Sequence, residues 1–174
     1  MRRELAEKAK IIEAVLFDVD GVMTNGKIYC SQEGETLKAF NAADGLGITL
    51  LRDFKVITGV ISGRDSTALR FRLEDLNIQH LYLGTADKLA AFKQFLDEVK
   101  LTPEQVAFIG DDLPDLPILT RCGLAVAPRN GCSEVRSKVD YVTERLGGEG
   151  SIREVVELIL KSKGLWENYV KGLY

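Results

Sequence analysis

Ala14-Val15-Leu16-Phe17 is an apolar run, and Asp18-Val19-Asp20-Gly21-Val22-Met23-Thr24, with two carboxylates one residue apart, follows it. A second stretch repeats the design: Val106 to Ile109 is apolar, and Gly110-Asp111-Asp112-Leu113-Pro114-Asp115 follows it. Each places acids where a buried strand should end. If the two strands lie side by side and parallel, their carboxylates meet at one sheet edge, repel one another, and need a hard cation to stay ionised together. Such an arrangement is costly unless it performs chemistry.

Four more runs share the continuous, β-branched character of strands buried on both faces: Val56 to Ile61, His80 to Leu83, Leu124 to Ala127, and Tyr141 to Val142. Segments of helical period lie between them, at Asp44 to Phe54, Asp65 to Asn77, Asp87 to Lys100, Asp115 to Cys122 and Ser133 to Val139, several opened by Asp or Ser as N-cap. This alternation predicts an α/β fold, a parallel sheet flanked by helices, whose ligand sits beyond the carboxyl ends of the strands. One segment breaks the pattern. Lys27 to Cys30 and Thr36 to Phe40 flank the turn-rich Ser31-Gln32-Glu33-Gly34-Glu35, which predicts a β-hairpin projecting over the site as a small flap.

The 174 residues suit a single domain, with no second one required. A net charge of -3 gives no electrostatic case for nucleic acid or an anionic membrane, so a small molecule is the expected partner. The start, Met1-Arg2-Arg3-Glu4, is charged and lacks a signal-peptide core, and no later run is apolar for long enough to span a bilayer; both predict a cytoplasmic chain. Cys30, Cys122 and Cys132 lack paired ligand spacing and read as reduced thiols. His80, the single histidine, reads as structural.

An Asp-x-Asp at a strand end suits phosphoryl transfer. Asp18 can attack phosphorus as a carboxylate, and Asp20 can protonate the leaving oxygen and then activate water. Mg²⁺ held by Asp18 and Asp111 would offset the charge of protein and substrate. Ser62, beside Gly63, offers a hydroxyl and amides to the equatorial oxygens, and Lys88 offers a fixed positive charge.

This ordered set, Asp18-Val19-Asp20-Gly21, Ser62-Gly63-Arg64, Lys88 and Gly110-Asp111-Asp112-Leu113-Pro114-Asp115, resembles the four motifs of the haloacid dehalogenase superfamily over nearly the whole chain. The resemblance implies a Rossmann-like sheet, Asp18 as nucleophile and metal ligand, and Asp20 as acid/base and a metal ligand through its carbonyl. It further implies Ser62 and Lys88 as phosphate binders, Asp111 as metal ligand, and Asp112 and Asp115 as supports of the metal or the loop. The hairpin in place of a large cap domain, Asn41-Ala42-Ala43-Asp44-Gly45, and Gly147-Gly148-Glu149-Gly150-Ser151 look like the 3-deoxy-D-manno-octulosonate 8-phosphate phosphatase family, which acts in lipopolysaccharide biosynthesis. That likeness implies a homotetramer with hairpins in a central barrel, and substrate contacts at Asp20, Asn41, Ala42, Ala43, Asp44, Gly45, Arg64, Arg72 and Lys88.

Arg64 separates the close relatives, since similar phosphatases of nine-carbon sugar-acid 9-phosphates carry an acidic residue there. Arg72, eight positions on, is expected to share a helical face with it, leaving Arg70 solvated. The apolar tail from Gly164 to Tyr174 either reaches a neighbouring active site through Leu173 and Tyr174 or packs on its own subunit. Two other classes fit the sequence less well. A response-regulator receiver would place its Lys late in the chain, whereas Lys88 precedes Asp111; a non-catalytic tetrameric module would be expected to lose an acid, and none of Asp18, Asp20 or Asp111 is missing.

Overall fold

The computed structural model describes residues 3–32 and 34–174. Glu33, expected in the hairpin turn, and Met1 and Arg2 of the charged start lie outside the described residues. Six strands form one sheet: β1 (Ala14–Phe17), β4 (Ile57–Ser62), β5 (His80–Leu83), β6 (Val106–Ile109), β7 (Leu124–Ala127) and β8 (Tyr141–Val142). All neighbours run parallel, in the order β5-β4-β1-β6-β7-β8. Two more, β2 (Tyr29–Ser31) and β3 (Gly34–Leu37), make a separate antiparallel hairpin.

Helices cover both faces, and the alternation along β1 shows why. Val15 and Phe17 point into a core built with α1 (Arg3–Lys10), α2 (Ala42–Asp53), α3 (Thr67–Asp75) and α7 (Ser151–Ser162). Ala14 and Leu16 point into a second core with α4 (Lys88–Val99), α5 (Leu116–Leu119) and α6 (Ser133–Arg136). All four β1 residues are fully buried, so the central strand has no room for alternating polarity. Phe17, Phe92, Phe95 and Phe108 are among its largest buried side chains, each adding about 1.5–3 kcal/mol of burial.

The chain leaves β1 toward β4 and β5, then crosses to the other side for β6, β7 and β8. The reversal falls between β1 and β6, which are in register from Ala14↔Val106 to Phe17↔Ile109. Crevices for ligands open at such a switch point. Asp18 donates its amide to Ile109 O at 2.9 Å, so both acid clusters emerge side by side.

Several element boundaries differ from expectation. The second helix opens at Ala42 because Asn41 caps it, accepting from the amides of Ala43 and Asp44; Asp44 is inside the helix. Ser66, not Asp65, caps α3. The predicted helix from Asp115 to Cys122 is a 3₁₀ turn, Leu113–Asp115, followed by the four-residue α5, with prolines 114 and 117 interrupting the hydrogen-bond ladder. Part of the tail folds as α8 (Trp166–Lys171) against its own chain: Tyr169 meets Phe54 edge-on at 5.9 Å, and Arg153 lies 5.2 Å from the Trp166 ring centroid. Leu173 and Tyr174 remain exposed. Among the described residues no helix is long and apolar enough to cross a membrane.

Candidate active site

The ends of β1, β4 and β6 and the start of α4 surround a cavity of about 460 Å³ lined by Asp18, Asp20, Ser62, Arg64, Lys88, Asp111 and their neighbours. Each side chain reaches it for a local reason. Asp18 is the first residue past β1, Ser62 is the last of β4, and Asp111 follows β6 by one glycine. Lys88 occupies the first position of α4 because Asp87 caps that helix, accepting from the amide of Ala90 at 2.9 Å.

Gly21 makes the close approach of the two clusters feasible. Its φ of 95° suits glycine, and a Cβ there would run into the Asp111 carboxylate. Gly147 serves the same end from the far side, since a Cβ on it would strike Gly21 O. Asn130 ties these loops, donating to Gly21 O at 3.1 Å and accepting from Gly147 N at 2.6 Å.

Charge is concentrated here. Lys88 Nζ lies 2.9 Å from Asp18 Oδ1 and 2.7 Å from Asp115 Oδ1, with all three side chains nearly out of water. Burial opposes the ammonium, but the two carboxylates outweigh it and hold Lys88 above the ordinary lysine value. Burial, then repulsion from Asp115, pushes Asp18 up to about 6 against the pull of Lys88. Burial, then Asp18 and Asp115, push Asp111 up to about 8. Asp18, Asp111 and Asp115 can each bring an oxygen within 4.8 Å of the others.

A hard divalent cation fits this group. Asp111 Oδ1 is buried without a hydrogen-bond partner, and the acids carry more negative charge than Lys88 alone offsets. Asp115 is less free than its neighbours. One of its oxygens takes Lys88, and the other accepts from the amides of Asp111 and Asp112 at 3.0 and 3.3 Å, which fixes the loop that presents Asp111.

Ser62 Oγ accepts from the Arg64 amide at 3.2 Å, which leaves its own O–H to donate. Asp20 is held by Lys38, 2.5 Å from Oδ1, and has Arg64 Nε 3.7 Å from Oδ2. Lys38 was not apparent in the sequence: a lone lysine at the exit of a hairpin strand carries no signature. Only the spacing of Glu35 and Lys38, which pair at 3.2 Å, hints at a built arrangement.

The remaining expected substrate residues gather elsewhere. Asn41, Asp44, Gly45 and Arg72 line a small recess with Met23 and Phe40 that shares no residue with the cavity around Asp18. Ala42 and Ala43 form the first turn of α2 above it. Asp44 spends both oxygens on the start of α7, accepting from Gly150 N at 3.1 Å and Arg153 N at 2.8 Å. Arg72 pairs with Asp75 at 2.6 Å and leaves Nε buried without a partner. Arg64 and Arg72 do not share a helical face, because Arg64 precedes the Ser66 cap of α3. Arg70 is exposed and paired with Asp65. His80 packs edge-on against Phe95 at 5.2 Å, outside the site.

Residues 52–150 match the family model of the haloacid dehalogenase-like hydrolases. The 3-deoxy-D-manno-octulosonate 8-phosphate phosphatase of Yersinia pestis is 43% identical over 157 residues, covering 90% of this chain and 84% of its own length. The enzyme of the same name from Escherichia coli K12 is 40% identical over 161 residues, covering 92% and 86%. A solved structure of that phosphatase from Moraxella catarrhalis, in complex with magnesium ion, phosphate ion and the sugar acid, superposes with a TM-score of 0.96 at 36% identity over the full length of both chains. With the acids at the β1–β6 switch point, these likenesses place the chain in the haloacid dehalogenase-like hydrolases and, within them, in the 3-deoxy-D-manno-octulosonate 8-phosphate phosphatase family.

Proposed function

We propose that this chain is a Mg²⁺-dependent phosphomonoesterase that converts 3-deoxy-D-manno-octulosonate 8-phosphate to the free sugar acid and inorganic phosphate, in lipopolysaccharide biosynthesis. The observation that carries this reading is the meeting of Asp18, Asp20, Ser62, Lys88 and Asp111 in one cavity, in a chain whose relatives are named for that substrate.

Asp18, Asp111 and the Asp20 carbonyl are the groups that would hold Mg²⁺, which when bound supplies positive charge against the phosphate and the carboxylates. An Asp18 oxygen attacks phosphorus. The new O–P bond forms as the bond between phosphorus and O8 of the sugar breaks, and a proton on Asp20 moves to the departing oxygen. Asp20, now a carboxylate, takes a proton from water as the water oxygen attacks the aspartyl-phosphate. The bond to Asp18 breaks and inorganic phosphate leaves. Through both steps the Ser62 hydroxyl and Lys88 hold the equatorial oxygens.

Arg64 is half-exposed at the rim and offers a planar fork to the sugar-acid carboxylate. The recess with Asn41 and Arg72 contributes through assembly, in a homotetramer whose neighbouring subunits close each site. The exposed Ile28, Tyr29 and Leu37 on and beside the hairpin support that assembly.

Phosphate release from 3-deoxy-D-manno-octulosonate 8-phosphate and from a nine-carbon sugar-acid 9-phosphate, at matched concentrations with Mg²⁺, tests the substrate. The octulosonate ester is expected to be preferred, and Arg64→Glu is expected to reduce its use more than that of a small generic phosphate ester. Preference for the nine-carbon ester moves the chain to the sister activity. Equal losses in the variant assign Arg64 to the phosphate or the fold.

A further inference from the structure

Lys38 stands out among the charged residues because it is sequestered without lining the cavity. Its side chain is 1% exposed, its ammonium is 2.5 Å from Asp20 Oδ1 and 3.2 Å from Glu35 Oε1, and it is absent from the walls around Asp18. Burying a lysine is costly unless it is paired, and here both partners are carboxylates, one on hairpin strand β3 and one in the catalytic loop.

We propose that Lys38 is the positioning residue for Asp20: it fixes the carboxyl group through Oδ1 and leaves Oδ2, the oxygen nearer Arg64, to exchange the proton with the leaving group and then with water. The hairpin thereby orders the general acid of its own chain. This rests on the reading of the chain as a phosphomonoesterase.

The consequence is a dependence on the leaving group. An alkoxide must receive its proton as the P–O bond breaks, whereas nitrophenolate departs without one, so a misplaced Asp20 penalises alkyl esters selectively. The ratio kcat/KM reports the steps through departure of the leaving group. It is measured with Mg²⁺ for 3-deoxy-D-manno-octulosonate 8-phosphate and for p-nitrophenyl phosphate, using the wild type, Lys38→Met, Lys38→Arg, and the pair Glu35→Gln with Lys38→Met. A well-placed general acid contributes about 10²–10⁴-fold, so Lys38→Met is expected to lose about tenfold or more on the alkyl ester beyond its loss on the aryl ester. Lys38→Arg is expected to recover most of that difference. The paired variant, in which Glu35 no longer carries a charge that Lys38 would neutralise, carries the same comparison if Lys38→Met does not fold.

Equal losses on the two esters, or failure of Lys38→Arg to recover selectively, would overturn the role of Lys38 and leave the proposed activity standing. A wild-type chain inert toward both esters would remove the underlying reading instead.

Discussion

At Asp18 and Asp111, protons and a cation compete for the same oxygens. An unfolded aspartate titrates near 3.8, whereas in the fold burial and then repulsion from neighbouring carboxylates push Asp18 up to about 6 and Asp111 up to about 8. The folded chain without a cation therefore binds more protons than the unfolded chain above about pH 3.8, and the contribution to stability, full below that value, is lost as pH rises through about 6 for Asp18 and about 8 for Asp111. A divalent cation binds the ionised form, so its stabilisation has the opposite slope. The rise in Tm on adding Mg²⁺ is expected to be several degrees larger at about pH 8 than at about pH 5.5; equal rises would mean that the ion binds elsewhere. These residues were readable in the sequence because each stands at a strand end or in the first turn of a helix, where topology alone fixes its place. Lys38 was not, because its partner Asp20 is eighteen positions away and the hairpin's fold decides whether they meet.

Asp44 shows how an element can claim a residue that a motif assigns to a ligand. Both of its oxygens receive amides from the start of α7, and burial still pushes it above the ordinary carboxylate value. It joins α2 to α7 at the point where the Gly147 to Gly150 loop presses on the Gly21 turn. Asp44→Ala leaves those amides unpaired and is expected to cost about 1–3 kcal/mol, read as a lower midpoint in urea. An unchanged midpoint with a raised KM would return Asp44 to the substrate. The alternation of strand and helix was legible from apolar runs, and five of the six sheet strands match their expected limits. Helix starts were less so, because Asn41 and Ser66 compete with nearby aspartates for the cap and only the local backbone decides between them.

Across the whole molecule, the parallel order β5-β4-β1-β6-β7-β8 brings two distant acid clusters to one switch point, and that convergence was foreseeable from the sequence. The separate recess around Arg72 was not, since placing Arg64 and Arg72 on one helix face assumed a helix that includes Arg64, whereas α3 begins three residues later at Thr67. Exposed Leu37 on β3, with Tyr29 across the hairpin, gives the proposed assembly a test. Leu37→Glu is expected to shift the sedimenting species toward lower mass, and an unchanged distribution would place the interface elsewhere. The most direct measurement is phosphate release from 3-deoxy-D-manno-octulosonate 8-phosphate by the wild type and by Asp18→Asn, each with Mg²⁺ and with a chelator. Release by the wild type that needs the cation and vanishes in a folded Asp18→Asn is the predicted result. Release by Asp18→Asn at the wild-type rate, or none from the wild type with Mg²⁺, would contradict it.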